Sequence, residues 1–414
     1  MGACGGASDT VTPPPYTFEV AIVSGDHQSG KTGTALSSPL TIAASTSDGR
    51  AVVNVTVNWA VTAGGGTLSN ASARTDNQGR ASATWTLGAQ GNQTVVATVT
   101  GIDGSPALNF AAVAIASPIV LHFDGTSWST ALEDVNGARV TLTSIWGATP
   151  SVVFAVGGSC GSPLVLRYDG TGWGTPPPGC VGNGFSNFTS VWGTSASDVF
   201  AANRNGLPPK LGGSILHNDG QSWTFMYFVP CPQGILCPAF QGVWSSSSTD
   251  AFAVAEAGVI THYDGSNWNQ QTSGTTQALY GVWGVGSVGS VFAVGAAGTI
   301  LSYDRSTWHA QTIGTSPLYA VWGTSANDVF AVGGAGTILH YDGTAWTAQN
   351  SGTTQSLYGI WGTAGNAVFA VGDGSTILHY DGATWTAQTT AASMNLRGVW
   401  GSSPTNVFAV GAPK

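Results

Sequence analysis

Two tryptophans recur at a regular spacing over residues 117–414 and limit what this chain can fold into. The first lies in an apolar stretch such as Leu318-Tyr-Ala-Val-Trp-Gly323, and its last four intervals are each 39 residues long. The second follows an aspartate-containing turn. The first series is Trp146, Trp192, Trp244, Trp283, Trp322, Trp361 and Trp400, and the second is Trp128, Trp173, Trp223, Trp268, Trp308, Trp346 and Trp385. A period near 40 residues with short β segments is typical of propeller blades.

Each repeat reads as four β-strands separated by turns rich in Gly and Asp. In the clearest copy we predict strands at residues 318–323, 329–333, 337–341 and 346–350. The first two are almost wholly apolar, as expected of strands that neighbouring blades cover on both faces. The array begins with the last two strands of a repeat, near residue 119, and ends with the first two. Joining these halves gives a seven-bladed β-propeller closed by its own N- and C-terminal half-blades.

The aspartate turn resembles the Asp-box of sialidase-like and photosystem-assembly-factor propellers, in which a hairpin reads Ser-x-Asp-x-Gly-x-Thr-Trp. The segment Ser302-Tyr-Asp-Arg-Ser-Thr-Trp308 comes nearest, with one residue fewer than the family pattern. These turns are structural in that family, so the resemblance implies no particular ligand. We predict that the repeat aspartates cap backbone N–H groups of their turns. They are Asp124, Asp169, Asp219, Asp264, Asp304, Asp342 and Asp381.

Residues 17–116 lack the blade motif and form a separate predicted domain. The motifs Gln28-Ser-Gly-Lys-Thr-Gly-Thr-Ala-Leu36, Val55-Thr-Val-Asn-Trp-Ala-Val61 and Thr75-Asp-Asn-Gln-Gly-Arg-Ala81 resemble a group 1 bacterial immunoglobulin-like (Big-1) domain of intimin- and invasin-type adhesins. The resemblance implies a β-sandwich of about seven strands, with Trp59 and Trp85 in its core. The predicted fold class is therefore all-β: an immunoglobulin-like sandwich followed by a seven-bladed propeller.

Residues 1–16 are predicted to be a tether. The opening Met1-Gly-Ala-Cys-Gly-Gly6 resembles the end of a bacterial lipoprotein signal, where a small residue precedes the lipidated cysteine. This resemblance implies a lipid on Cys4 as the sole link to a membrane, and a cell-surface or outer-membrane location. A spectator cysteine at an arbitrary start, or a secreted protein, is the alternative.

Composition excludes some partners. Only 7% of the residues are charged, against about 25% in ordinary domains. The net charge is −9, and duplex nucleic acid requires basic clusters to neutralise its phosphates. We therefore predict no nucleic-acid partner.

The carboxylates do not indicate an enzyme. Outside the repeated turns, the propeller carries only Glu133, Asp134, Glu256 and Asp373. A glycosidase needs two facing carboxyl groups. The sequence does not group the propeller's five arginines into a catalytic site; they are Arg139, Arg167, Arg204, Arg305 and Arg397. We predict a protein without enzymatic activity or cofactor.

Two motifs imitate functional sites. Gly25-Asp-His-Gln-Ser-Gly-Lys-Thr32 has the letters of a phosphate-binding loop, but Ser37-Ser-Pro39 follows where a helix is required. We predict no bound nucleotide.

Five histidines precede the repeat aspartates by two residues: His122, His217, His262, His340 and His379. Each belongs to a different blade, so we predict a hydrogen bond within the blade and no metal site.

Four cysteines, Cys160, Cys180, Cys231 and Cys237, lie in the two longest repeats, of 46 and 52 residues. Disulfides in such insertions favour an oxidising, extracytoplasmic compartment, and we predict the pairs Cys160–Cys180 and Cys231–Cys237. A zinc site with four cysteine ligands is the alternative, although the spacings do not resemble a zinc ribbon.

The insertions are predicted to emerge on one face of the propeller. They concentrate aromatic and basic residues that are scarce elsewhere, and loops that break a repeat often carry its function. Simple drift in loop length is the alternative. The predicted ligand-binding residues are Phe185, Phe188, Arg204, Lys210, Tyr227 and Phe228.

These features together predict an extracytoplasmic, surface-tethered bacterial binding or adhesion protein. Its propeller face would bind a glycan, or an envelope or host protein. A structural or assembly factor that docks other envelope proteins is the first alternative, and a polysaccharide-active enzyme is the second.

Overall fold

A computed structural model describes residues 17–89, 91–102, 104, 106–115, 118–133, 140–159, 162–174, 188–204, 212–228, 238–286 and 289–414. The chain divides into two compact units, Met1–Ala116 and Ser117–Lys414. This division falls where the two predicted domains meet. The predicted tether and Cys4, Cys160, Cys180, Phe185, Lys210, Cys231 and Cys237 lie outside the described residues.

The described part of the first unit contains two larger β-sheets and one two-stranded sheet around one hydrophobic core. One sheet has the order β1-β3-β7 and the other has the order β2-β10-β9-β4-β6, while β5 pairs with β8. Alternate residues of each strand point inwards, as in β9, where every second residue from Gln93 onwards is buried. The strands are β1 (Phe18–Ser24), β2 (Gln28–Lys31), β3 (Leu40–Thr46), β4 (Thr56–Ala63), β5 (Gly66–Leu68), β6 (Ser72–Arg74), β7 (Arg80–Ala83), β8 (Trp85–Leu87), β9 (Gly91–Thr100) and β10 (Ala107–Ile115).

The core of this unit contains both predicted tryptophans. Trp59 is 3% exposed and Trp85 is fully buried, and the Trp59 ring lies 5.7 Å from that of Phe110. Both side chains are therefore packing residues, as predicted.

The segment that imitates a phosphate-binding loop is a turn followed by a strand. His27 has a φ of 55°, and β2 then pairs in parallel with β10, Gln28 opposite Ala112. No helix follows between residues 33 and 89. The backbone therefore does not present the helix N-terminus that holds a phosphate in such loops.

The described part of the second unit forms seven antiparallel sheets, arranged along the chain. Six of them are consecutive in sequence: β13 (Val140–Thr149), β14 (Val152–Ser159) and β15 (Ser162–Tyr168); β16 (Phe188–Ser195), β17 (Asp198–Asn203), β18 (Ser214–Asn218) and β19 (Trp223–Phe228); β20 (Phe240–Ser247), β21 (Asp250–Ala255), β22 (Ile260–Tyr263) and β23 (Trp268–Gln271); β24 (Leu279–Gly284), β25 (Val291–Gly295), β26 (Thr299–Tyr303) and β27 (Trp308–Thr312); β28 (Leu318–Ser325), β29 (Asp328–Gly333), β30 (Ile338–Tyr341) and β31 (Trp346–Gln349); β32 (Leu357–Ala364), β33 (Ala367–Gly372), β34 (Ile377–Tyr380) and β35 (Trp385–Gln388).

The remaining sheet combines strands from both ends of the unit. It has the order β12-β11-β37-β36, with β11 (Pro118–Phe123), β12 (Trp128–Glu133), β36 (Met394–Ser403) and β37 (Asn406–Pro413). Val120 pairs with Val410, and Phe123 pairs with Val407. The predicted joining of the terminal half-repeats is therefore present as strand pairing.

The first strands of the seven sheets contact one another in a cycle. The contacts run β13 to β16, β20, β24, β28, β32 and β36, and β36 contacts β13 again. The second strands are almost entirely buried, as in β25, where all five residues are. Adjacent sheets cover these strands on both faces, which explains their unbroken apolar sequence.

Tryptophan packing against glycine joins adjacent sheets. A Cβ atom added to Gly323 would lie 2.9 Å from Cη2 of Trp283, and one added to Gly362 would lie 2.8 Å from Cη2 of Trp322. Only a residue without a side chain leaves room for the neighbouring indole. Ser245 occupies this position in the third sheet of the cycle, and the Trp192 ring that faces it is the least buried of the series.

Short 3₁₀ segments join the second and third strands of four sheets: Glu256–Gly258, Ala296–Gly298, Gly334–Gly336 and Asp373–Ser375. Within the residues the structure describes, no helix is long and apolar enough to cross a membrane.

Candidate functional site

The seven sheets present two different faces. The turn face carries the turns between first and second strands and the aspartate turns between third and fourth strands. The loop face carries the remaining connections. The innermost strands enclose a channel that runs between these faces and is lined by residues of all seven strands.

The aspartate turns hold their own polar groups. Asp342 Oδ1 accepts hydrogen bonds from the backbone N–H groups of Thr344 and Ala345 at 2.8 and 2.9 Å. The same pair of bonds occurs in the other six turns, which confirms the predicted capping. The Thr344 hydroxyl also donates to Asp342 and, with these N–H groups, lowers the pKa of that carboxyl to about 2. In every turn, Oδ1 of the aspartate is therefore already hydrogen-bonded within the turn.

Four of the five repeat histidines make the predicted hydrogen bond within their sheet. His262 Nε2 lies 2.7 Å from Asp250 Oδ1, and the Ser246 hydroxyl donates to the other carboxylate oxygen. His217 and His340 pair likewise with Asp198 and Asp328, and His122 pairs with Asn406. The carboxylate stands between hydroxyl and imidazole, so the imidazole does not contact the hydroxyl as it does in a Ser–His catalytic pair.

Hydrogen bonding also sets the charge of these carboxylates. Burial tends to raise the pKa of Asp250, but hydrogen bonds from His262 and Ser246 and the nearby Arg305 guanidinium outweigh it and lower that pKa. Arg305 Nη1 lies 3.0 Å from Asp250 Oδ2 of the preceding sheet. Among the described residues, no group of three His, Cys, Asp or Glu side chains is placed to hold a metal ion.

The mouth of the channel on the loop face has a different composition. The residue three positions before the tryptophan of each innermost strand lies here, and we call these seven residues the mouth ring. They are Thr143, Thr189, Gln241, Tyr280, Tyr319, Tyr358 and Arg397. They surround a cavity of about 170 Å³. Below them the channel narrows through glycine, serine or alanine and then Val or Ile side chains.

Four consecutive members of the mouth ring form a stack. The rings of Tyr280 and Tyr319 have centroids 5.6 Å apart, and those of Tyr319 and Tyr358 are 4.7 Å apart and nearly parallel. The Arg397 guanidinium lies 3.9 Å from the centroid of the Tyr358 ring. Tyr319 and Tyr358 stack face to face, whereas Tyr280 packs against Tyr319 at an interplanar angle of 47°, and these contacts restrain the positions of the phenol rings.

Asp373 closes one end of this stack. Its carboxylate lies 3.0 Å from Arg397 Nη1 and accepts a hydrogen bond of 3.1 Å from the Tyr358 hydroxyl. Burial, together with the neighbouring tyrosines and Asp373, raises the pKa of Tyr319. Its phenol therefore stays protonated at neutral pH.

Glu256 lies beside the other end of the stack. Its carboxylate accepts a hydrogen bond of 3.2 Å from the Gln241 side-chain amide and lies 3.8 Å from Arg204 Nη2. Arg397 and Arg204 thus each have a carboxylate next to them, and among the described residues these charges balance. Glu256 and Asp373 are also two of the carboxylates that sequence reasoning left without a structural role.

The hydroxyl groups of the two threonines in the mouth ring are hydrogen-bonded to backbone oxygens. The Thr143 hydroxyl donates to the backbone oxygens of Val156 and Phe188, at 3.1 and 2.8 Å. Thr189 donates likewise to Ala202 and Phe240. The mouth is therefore asymmetric, with aromatic and charged groups on one side and small side chains on the other.

The predicted ligand-binding residues do not all reach this surface. Phe188 is only 5% exposed, because it begins β16 at the core position that Leu318 has in β28. Its ring packs 6.4 Å from that of Trp223. Phe188 is therefore a core residue rather than part of a ligand surface.

The other predicted residues divide between packing and exposure. Tyr227 packs 6.0 Å from Trp268 and 6.2 Å from Phe240, and burial raises its pKa. Phe228 stacks at 5.3 Å on Phe225, which is 48% exposed. Arg204 reaches Glu256 beside the mouth.

Sequence reasoning missed the tyrosines and Arg397 of the mouth ring. They belong to strands that read as almost wholly apolar, although this position varies among Tyr, Thr, Gln and Arg from repeat to repeat. Such variation within a constant repeat was the available signal.

No protein-family model and no curated protein sequence matches the chain. Solved structures do match. YCF48 bound to a D1 peptide aligns with a TM-score of 0.52 and 17% identity, over 72% of this chain and 95% of that one. YCF48 from Cyanidioschyzon merolae aligns with a TM-score of 0.49 and 16% identity, over 67% and 94%. The WD40 β-propeller domain of Doa1 aligns with a TM-score of 0.48 and 12% identity, over 71% and 97%. The protein is nearly all β and contains a β-propeller.

Proposed function

We propose that this chain is an extracytoplasmic binding protein without enzymatic activity, whose propeller binds its ligand on the loop face. The seven sheets would be the seven blades of a closed ring. The cyclic contacts of the innermost strands and the shared terminal sheet support this count. Two sheets around one core support an immunoglobulin-like sandwich for residues 17–116.

The contrast between the two faces carries this proposal. On the turn face, repeated aspartates and histidines satisfy one another with nearly the same geometry in each sheet. On the loop face, the mouth ring differs from sheet to sheet and surrounds a cavity. A concave site with a few convergent polar groups is the usual form of a binding site.

A peptide or protein ligand is the second candidate, as expected of an assembly factor that docks other envelope proteins. It is favoured by the propeller with the highest TM-score reported above, which is YCF48 bound to a D1 peptide. The exposed Phe225 and its partner Phe228 would suit such a contact, because aromatic side chains are enriched at protein interfaces.

The proposed compartment rests on the cysteines. Cys160–Cys180 and Cys231–Cys237 would be disulfides formed under oxidising conditions, and a lipid on Cys4 would supply the link to a membrane. Peptide mapping without reduction tests the pairing. Four free thiols or crossed pairs would contradict it.

A binding screen tests the function. The full chain is applied to a glycan array and to an envelope extract, beside a variant with Tyr280, Tyr319 and Tyr358 changed to Ala and a control with Thr344 and Ala345 changed on the turn face. We expect the mouth variant to lose the ligand and the control to retain it. If only the turn-face control lost the ligand, the binding site would lie on the turn face and the proposal would be wrong.

A further inference from the structure

We infer that the mouth ring is a subsite for one uncharged sugar ring, the terminal residue of a neutral glycan. This inference rests on the proposed function and narrows it to a ligand class. It depends on three properties of the mouth: its size, its free hydrogen-bonding groups and its balanced charge.

The size of the cavity limits what enters it. Its volume of about 170 Å³ is below the roughly 300–1,000 Å³ of pockets for drug-sized ligands. One ring fits such a space, whereas an oligomer must extend out of it. Gly, Ala, Val and Ile residues line the same cavity and provide an apolar portion against which the apolar face of a sugar can pack.

Hydroxyl groups line the aromatic side of the cavity. The Tyr358 hydroxyl is engaged by Asp373, whereas those of Tyr280 and Tyr319 make no hydrogen bond to another described residue. A phenol hydroxyl both donates and accepts, as does a sugar hydroxyl. Two such groups held by the stack, with the Gln241 side-chain oxygen nearby, suit a ligand with several hydroxyls.

Backbone N–H groups of the innermost strands have different side-chain partners around the channel. On the threonine side, the backbone N–H groups of Val191 and Val243 donate to the hydroxyls of Ser144 and Ser190 in neighbouring sheets. The positions equivalent to these serines on the tyrosine side are Gly281, Ala320, Gly359 and Gly398, which have no hydroxyl to accept a bond. The side-chain acceptors present on the threonine side are therefore missing on the tyrosine side.

The balance of charge distinguishes a neutral sugar from an acidic one. Arg397 lies beside Asp373 and Arg204 beside Glu256, so within the part of the chain that the structure describes, each of these two cations near the cavity has a carboxylate beside it. A carboxylate or phosphate entering here would lose water without gaining a free positive partner, which is unfavourable. The net charge of −9 acts in the same direction.

The test uses the full chain and a panel of free sugars. Methyl glycosides of neutral hexoses and N-acetylhexosamines, together with N-acetylneuraminate and glucuronate, are titrated and followed by protein NMR. The test variant is Y280F/Y319F, which removes the two hydroxyls and keeps the stacked rings. The matched control is Y341F, because the Tyr341 hydroxyl lies on the turn face and donates to the oxygen of Gly343.

We expect at least one neutral glycoside to bind, with an affinity at least tenfold lower in Y280F/Y319F and unchanged in Y341F, at equal melting temperatures. Two results would overturn the neutral-sugar subsite: stronger binding of the acidic sugars, or binding of a neutral sugar that Y280F/Y319F leaves unchanged. In either case the protein would still be a binding protein. If the chain bound an envelope protein but no sugar, and Y280F/Y319F weakened that binding, the sugar as ligand class would be wrong but the site would be right. Absence of any ligand from the screen and the panel would refute the proposed function as well.

Discussion

One blade of the propeller lacks a hydrogen bond that its neighbours have, and restoring it tests how the histidines act. His340 Nε2 lies 2.7 Å from Asp328 Oδ1. His379 occupies the equivalent position in the next sheet, but Ala367 replaces the aspartate, and burial lowers the pKa of this histidine. We expect Ala367→Asp to supply the missing carboxylate, with Thr363 placed to donate to it as Thr324 donates to Asp328.

The expected gain is modest. The side chains of His340 and Asp328 are 23% and 27% exposed, and a hydrogen bond to a charged group contributes about 1.5–3 kcal/mol. Replacing Ala by Asp in a strand offsets up to about 1 kcal/mol of this. The net stabilisation should be about 1 kcal/mol, which raises the melting temperature of a domain of this size by about 2 °C.

The pH dependence gives a second readout. A carboxylate beside His379 favours the imidazolium and should raise its folded-state pKa above the unfolded value of about 6.5. The added stability is then fully present below pH 6.5 and declines as the pH rises through the folded-state pKa.

Thermal unfolding at pH 5.5 and pH 8.5, with the His379 pKa measured by NMR, checks both expectations. Ala348→Asp on the exposed strand β31 adds the same charge without a histidine partner and serves as the control. An unchanged His379 pKa, or a gain in stability no larger than that of the control, would refute the reasoning.

Three further predictions concern the framework. Gly323→Ala should lower the free energy of unfolding by about 1–3 kcal/mol, because the added Cβ would lie 2.5 Å from the backbone oxygen of Asp328. Chemical denaturation measures this loss, with Gly172→Ala as the control, because a Cβ atom at Gly172 would have open space around it. Deleting residues 397–414 removes partners of β11 and should abolish cooperative unfolding in calorimetry; melting like that of the full chain would contradict the closed ring. Hydrogen bonds from neighbouring hydroxyl and N–H groups lower the pKa of Asp124 and of Asp342 to about 2. Their contribution is present above pH 4 and lost as the pH falls through 2, so the melting temperature should decline over that interval.

Periodicity made the framework predictable from sequence. Tryptophan spacing located the sheets, and the strands predicted at 318–323 and 346–350 differ from β28 and β31 by no more than two residues at either end. The candidate site was harder, because which side of an innermost strand faces the channel depends on closure of the whole ring. Tyr319 therefore read as part of an apolar strand. Phe188 was misplaced for another reason: it was assigned to a long loop, although it aligns with Leu318 of the repeat.

The sheet shared by the two ends of the propeller sets an order of events during synthesis. His122 on β11 and Asn406, the first residue of its partner strand β37, are 284 residues apart. At 5–20 residues per second, the ribosome needs about 15–60 s to make that interval. Throughout it, Ile119, Val120 and Leu121, which are fully buried in the finished ring, have no strand β37 to pair with. The nascent chain therefore carries an unpaired, apolar strand edge for most of its translation, until its last strands are complete.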